Sequence, residues 1–205
     1  MIITIFSLIV LLFSIIIHEI AHGSVAYYLG DPTAKYAGRL SLNPLKHLDP
    51  VGSVVLPLFL LFFTEGKGPI FGWAKPVPIN PYNFRDQKWG KLKVAIAGPA
   101  TNFVIALSFG LPIRFLPLPF SMLKFFSIIV IYNFLWGLFN LVPIPPLDGA
   151  HLLFSFLPKR LAEIKIIFQQ YSFLLFILFI LFGLDWLFYI AKLFYYLTVG
   201  YPFVL

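Results

Sequence analysis

The sequence predicts an all-α polytopic membrane protein, on three observations. Of its 205 residues, 60% are hydrophobic and only 11% charged, far from the composition of an ordinary soluble domain. Long apolar runs recur at residues 2–29, 93–111, 122–142, 163–183 and, more weakly, 185–199. Most of the basic residues lie in loops beside those runs. Together these give about five transmembrane helices, a short re-entrant segment at 51–63 and a small extended or β segment at about 69–79. All belong to a single domain spanning residues 1–205.

The first run, 2–29, lacks a basic n-region, and it outlasts the apolar stretch of a signal peptide. It shows no small-residue cleavage site before His18. A retained helix is expected. The stretch "VGSVVLPLFLLFF" (51–63) is too short to span comfortably, and Pro57 interrupts its backbone ladder. It is expected to dip into the membrane and return. Residues 64–92 are rich in Gly, Pro and charge and read as loop and extended chain. Helices at 93–111 and 122–142 follow, and the C-terminal part, 151–205, supplies the remaining two.

Charge sets the orientation. Lys35, Arg39, Lys46, Lys67, Lys75, Arg85, Lys88 and Lys91 lie between the first helix and the one near residue 93. Lys159, Arg160 and Lys165 lie between the third and fourth runs, whereas the opposite loops hold little beyond Arg114, Lys124 and Asp185. The positive-inside rule puts the basic loops in the cytoplasm and the N-terminus outside. The net charge of +7 therefore points to an anionic lipid surface and not to nucleic acid. The absence of cysteine excludes disulfides and thiolate metal sites.

The first helix ends in "SIIIHEIAHGS" (14–24). His18 and His22 are four residues apart and share one helical face, with Glu19 on the adjoining one. Two imidazoles at that spacing can grip one zinc ion, and the glutamate can take a proton from water beside it. The bland alternative is a pair of core histidines flanking a glutamate. Three titratable groups without a common partner in an apolar helix are costly. Zinc, one per chain, is the expected cofactor. His18 lies about 24 Å along the helix from Ile2 at ~1.5 Å per residue, toward the cytoplasmic side of a core about 30 Å thick. Hydrolysis at that depth means proteolysis inside the membrane, and it needs a cavity that admits water.

A catalytic zinc takes three protein ligands and keeps one open position. Asp31, His47, Asp49, Glu65, Asp86, Asp148, His151, Glu163 and Asp185 are the candidates for the third. Most sit in polar loops. Asp148 differs: it closes "FNLVPIPPLDGAHLL", where Pro143, Pro145 and Pro146 stop the 122–142 helix and Gly149 lets the chain turn sharply. That places an acid at the cytoplasmic end of a membrane helix, level with His18 and His22.

"HEIAH" on the first helix, "AGPATNF" opening a second and "NLVPIPPLDG" closing a third resemble the site-2 protease family of intramembrane zinc metalloproteases. The likeness is to its compact bacterial and archaeal members without a PDZ insertion, and it covers residues 18 to 149. It implies zinc on His18, His22 and Asp148, Glu19 as general base, and Asn102 and Asn140 holding the substrate near the metal. It also implies a prokaryotic plasma-membrane enzyme with a catalytic core in residues 1–150, which cleaves a transmembrane segment of another protein. "SLNPLKHLDPVG" and "FGWAKPVPIN" match the same subgroup. His151 departs from it, since relatives commonly carry a basic residue there; a hydrogen-bonding neighbour of Asp148 is its expected role. His47 is expected to be structural. Two rival functions remain at this level: a zinc protease acting on signal-peptide remnants or prenylated C-termini, and a non-catalytic metal-binding channel or transporter.

A protease needs an extended substrate, and an edge strand can supply one by pairing. In "PIFGWAKPVPI" (69–79), Pro76 and Pro78 make one side a poor template. The other side keeps the N–H groups of Lys75, Val77 and Ile79, and Val77 is expected to pair there with substrate or with a neighbouring strand of the enzyme.

Overall fold

The computed structural model describes residues 2–63, 65, 74–158 and 162–203. Among them the secondary structure is helical, and the nearest approach to a strand is one antiparallel bridge between Leu48 and Ala74. Helix α1 (Ile2–Tyr28) runs 27 residues without a breaker. It ends in a Schellman motif: Gly30 turns left-handed at φ 108°, its N–H reaches Tyr27 O, and Asp31 N–H reaches Ala26 O. A short helix, α2 (Thr33–Tyr36), follows.

The 51–63 stretch begins as a wide π-helical turn over Pro50–Val55. Asp49 caps it by accepting from Val51 N–H and Gly52 N–H at 3.1 and 2.7 Å. It continues as α3 (Leu56–Phe63), whose eight residues extend about 12 Å at ~1.5 Å per residue. That is well short of a crossing.

Two long helices form the centre: α4 (Gly90–Phe115) and α5 (Phe120–Leu141). They pack on each other and on α1. Residues Val142–Leu147, with their three prolines, form no helix, and α6 (Asp148–Phe156) starts at Asp148 itself. Asp148 therefore opens a helix of its own, after the segment that ends α5. Gly149 serves close packing rather than a sharp turn, since a Cβ there would stand 2.2 Å from Leu141 O.

Among the described residues three helices are long and apolar enough to cross a membrane: α1, α4 and α5. The run expected at 163–183 is broken into α7 (Ala162–Gln170) and α8 (Ser172–Phe182), bent by 66°. The last helix, α9 (Leu184–Val199), has 16 residues. It packs nonetheless, because Ala191, Tyr195 and Val199 share a core with Ala106 and Ile113 of α4 and Val130, Ile131 and Phe134 of α5. Arg114 fastens the ends of α4 and α9 through Leu197 O at 2.8 Å. Helix α8 has no buried residue among those described, as befits a lipid-facing element. The chain is an integral membrane protein.

Of the extended segment expected at about 69–79, residues 69–73 lie outside the described residues. Residues 74–80 are extended, and two buried charges hold them. The Arg39 guanidinium donates to the carbonyls of Lys46, Lys75 and Pro76. The Asp31 carboxylate accepts from Asn80 N–H at 2.7 Å, Asn83 Nδ2 at 2.8 Å and the N–H and hydroxyl of Thr33.

Candidate metal centre

The two histidines of α1 are buried, at 2% and 6% exposure, and their rings stand edge to face with centroids 4.6 Å apart. His18 Nε2 lies 3.0 Å from His22 Nε2, and Asp148 Oδ2 lies 3.0 Å from each. Among the described residues this is the one group of three His, Cys, Asp or Glu side chains close enough to share an ion.

The outer nitrogens decide what the cluster can bind. His22 Nδ1 is 2.7 Å from Val94 O, an acceptor only, so Nδ1 carries the proton and donates. His18 Nδ1 is 2.7 Å from Asn102 Oδ1. The Asn102 amide is oriented by its Nδ2, which donates to Ser14 O at 3.2 Å and Asn133 Oδ1 at 3.0 Å. His18 Nδ1 therefore donates as well. In both neutral rings Nε2 then holds a lone pair. Two imidazole lone pairs and a carboxylate oxygen converge with no proton among them. A cation satisfies that arrangement; three mutually facing acceptors otherwise repel. Zinc bound tetrahedrally at about 2.0–2.1 Å separates its ligand atoms by about 3.3–3.4 Å, so the cluster need open by only a few tenths of an ångström. The residues fit zinc, and the outer hydrogen bonds to Asn102 and Val94 are of the kind that orient metal-binding imidazoles.

Helix α4 makes room for the rings. A Cβ on Gly98 would stand 2.4 Å from His22 Nε2 and 2.6 Å from His18 Cε1 and Nε2. Neither Gly98 nor Val94 was singled out by the sequence. The signal for Gly98 was there, a small residue in the "AGPA" stretch one helical turn before Asn102.

Glu19 is half-buried and lines a cavity of about 730 Å³ together with His18, His22, Asp148 and Asn140. Its Oε2 accepts Val77 N–H at 2.9 Å. Two sequence expectations change here. Val77 does not offer a free N–H to a substrate: the side chain is buried, the N–H is taken by Glu19, and its neighbour Lys75 N–H pairs with His47 O at 2.9 Å. The enzyme's own groups occupy that edge. Asn102 is fully buried behind His18 with both ends of its amide engaged, so it orients the histidine and does not face substrate. Asn140 does line the cavity, its Nδ2 donating to Trp136 O at 2.9 Å.

The other candidate ligands lie elsewhere. His47 is buried with Nε2 2.7 Å from Ser41 O. Asp49 caps the π-helical turn, and Asp86 pairs with Lys93 at 2.6 Å. His151 is exposed on α6 and lines the cavity without joining the cluster.

Comparison with known proteins assigns a family. The profile described as Peptidase family M50 matches residues 117–183. The Bacillus subtilis (strain 168) protein named "Putative zinc metalloprotease YwhC" is 38% identical over 178 residues, covering 82% of this chain and 77% of the relative. The chain belongs to peptidase family M50. A second relative of this M50 protein, the Mycolicibacterium smegmatis "Putative zinc metalloprotease Rip2", is 34% identical over 142 residues, 67% of this chain and 52% of the relative. The Methanocaldococcus jannaschii "Zinc metalloprotease MJ0392" is 29% identical over 91 residues, 43% and 27% of the two chains. No solved structure matches significantly. As an M50 peptidase of the site-2 type, the chain is a zinc metalloprotease.

Proposed function

We propose that this M50 peptidase hydrolyses a peptide bond within or near a transmembrane segment of another membrane protein, with His18, His22 and Asp148 holding zinc and Glu19 as general base. The observation that carries the reading is the convergence of His18 Nε2, His22 Nε2 and Asp148 Oδ2, each 3.0 Å from the others, on one wall of a cavity that Glu19 also lines. Zinc, when bound, supplies Lewis acidity toward the scissile carbonyl and toward water. Glu19 takes the proton of the attacking water and passes it to the leaving amine. Its Oε2 is held by Val77 N–H, so Oε1 is the oxygen that accepts the proton. Asn102 and Val94 keep the two imidazoles in the tautomer that presents Nε2. Asn140 binds substrate backbone from the cavity wall.

The N-terminus lies outside, and residues 1–150 form the catalytic core at the cytoplasmic side of a prokaryotic plasma membrane. The 51–63 stretch re-enters, and α7 with α8, then α9, complete five crossings. The basic loops and the brevity of α3 support this arrangement.

The test is Glu19→Gln. The variant should retain about one zinc per chain and lose cleavage by at least about a thousandfold, because an amide cannot accept the proton. Loss of zinc together with activity would make Glu19 a ligand and reject the assignment.

A further inference from the structure

Basic groups from four parts of the chain meet around the mouth of the catalytic cavity. Lys88 comes from the loop before α4, Lys91 from the first turn of α4, His151 from α6 and Lys165 from α7. Among the described residues the only carboxylates that line the same cavity are Glu19 and Asp148, both occupied in the centre already described. Among the described residues no carboxylate pairs with Lys88, Lys91 or Lys165. Lys88 stands 5.1 Å from the Trp89 ring centroid and Lys165 5.7 Å from that of Phe154.

Lys93 makes the contrast. It lies two residues beyond Lys91, does not line the cavity, and is neutralised by Asp86 at 2.6 Å. The lysine that faces away has a counter-ion, and those that face the cavity have none.

We propose that this rim selects substrates, favouring peptides that carry Asp or Glu close to the scissile bond. The proposal rests on the proteolytic reading above and names the substrate class that reading leaves open. Lys88, Lys91, His151 and Lys165 line the same cavity as Glu19, so a peptide bound there lies near them. Long lysine stems let each ammonium reach a carboxylate on such a chain, and a cleft lined by one sign of charge concentrates the opposite sign. Anionic lipid headgroups share this chemistry. The rim groups line the wall of the chamber that contains Glu19, so peptide is the favoured occupant.

The experiment uses the full-length zinc-loaded enzyme in phosphatidylcholine vesicles. The probes are three versions of one transmembrane peptide, flanked at the cut by Asp-Asp, Ser-Ser or Lys-Lys. The expected kcat/KM is about tenfold higher for the Asp form than for the Ser form at low salt, with Lys lowest. The preference should shrink to about twofold in about 0.5 M salt. The combined variant Lys88→Glu, Lys91→Glu, Lys165→Glu should invert the order so that the Lys form is cut best. Equal rates for the Asp and Ser forms by wild-type enzyme at low salt overturn the proposal without recourse to any variant. So does an order that survives the triple charge reversal in a folded, zinc-loaded protein. If the three forms are cut alike but phosphatidylglycerol raises all rates in wild type and not in the triple variant, the rim serves lipid, and the peptide proposal fails. Cleavage of none of the forms would overturn the proteolytic reading itself, an outcome distinct from all of these.

Discussion

At the scale of the residue, the metal centre depends on an absence. Gly98 is where α4 passes the two histidine rings, and the space it leaves is occupied by their Nε2 atoms. Adding one methyl group there cannot be absorbed by a flexible side-chain end, because both rings are fixed from behind by Asn102 and Val94 O. Gly98→Ala should therefore expel zinc, lowering stoichiometry in metal analysis from about one to below about 0.2 per chain, at an overpacking cost of about 1–3 kcal/mol. Asp148→Ala should do the same by removing a ligand, whereas Asp49→Ala and Asp86→Ala should leave zinc in place. Retention of full zinc by a folded Gly98→Ala protein would mean that the helices separate more easily than their packing indicates. His18, Glu19 and His22 were legible in the sequence because their spacing and depth are local properties of one helix end, and Asp148 because the prolines before it mark where another membrane helix stops. The outward hydrogen bonds that fix the tautomers were not legible: His18 meets Asn102 across 84 positions and His22 meets Val94 across 72.

At the scale of the element, the extended segment from Ala74 to Asn80 is held like a strap. Arg39 grips its start and Asp31 its end, and Val77 between them meets Glu19. Burial alone would raise the Asp31 carboxyl. The hydrogen bonds from Thr33, Asn83 and Asn80 outweigh it and hold the group below its ordinary value. A depressed acid stabilises the fold above its unfolded pKa of about 3.9, and that contribution is lost as pH falls through the lower folded value. Asp31→Ala leaves Asn80 N–H and Thr33 N–H without their acceptor. It should cost about 2–4 kcal/mol in thermal unfolding at pH 7 and speed proteolytic nicking near residue 78, with zinc retained. An unchanged nicking rate would show that Asp31 does not hold the strap. The sequence marked this stretch as extended from its prolines. It could not reveal the partner of Val77, because contacts across 58 residues between a loop and a helix leave no periodic trace. The break at Tyr171 escaped for a different reason. The run 163–183 lacks Pro and Gly before its last residue, and only the polar cluster Gln169-Gln170-Tyr171-Ser172 marks the bend.

At the scale of the whole molecule, the question is how many times the chain crosses. The central trio α1, α4 and α5 was legible from hydropathy alone, since each run exceeds the length a bilayer needs. Cysteine-accessibility reporters placed at residues 35 and 88 should both label from the cytoplasm, and one at residue 117 from outside. Labelling of 35 and 88 from opposite faces would mean that 51–63 spans, and the charge-based orientation would fall with it. The connectivity of the trio also has a consequence in time. On the proposed assignment two metal donors belong to α1, while the third, Asp148, follows His22 by 126 positions, after α4 has supplied both acceptors that orient the rings, Val94 O and Asn102 Oδ1. During synthesis, a chain that has reached only the first helix holds a histidine pair and its glutamate but no complete ligand set. It becomes complete only once two further helices have entered the bilayer and docked. On that assignment chain order delays activity until the enzyme has assembled around its own centre, and a hydrolase made inside a membrane full of helices is kept from cutting them prematurely by the order of its own synthesis.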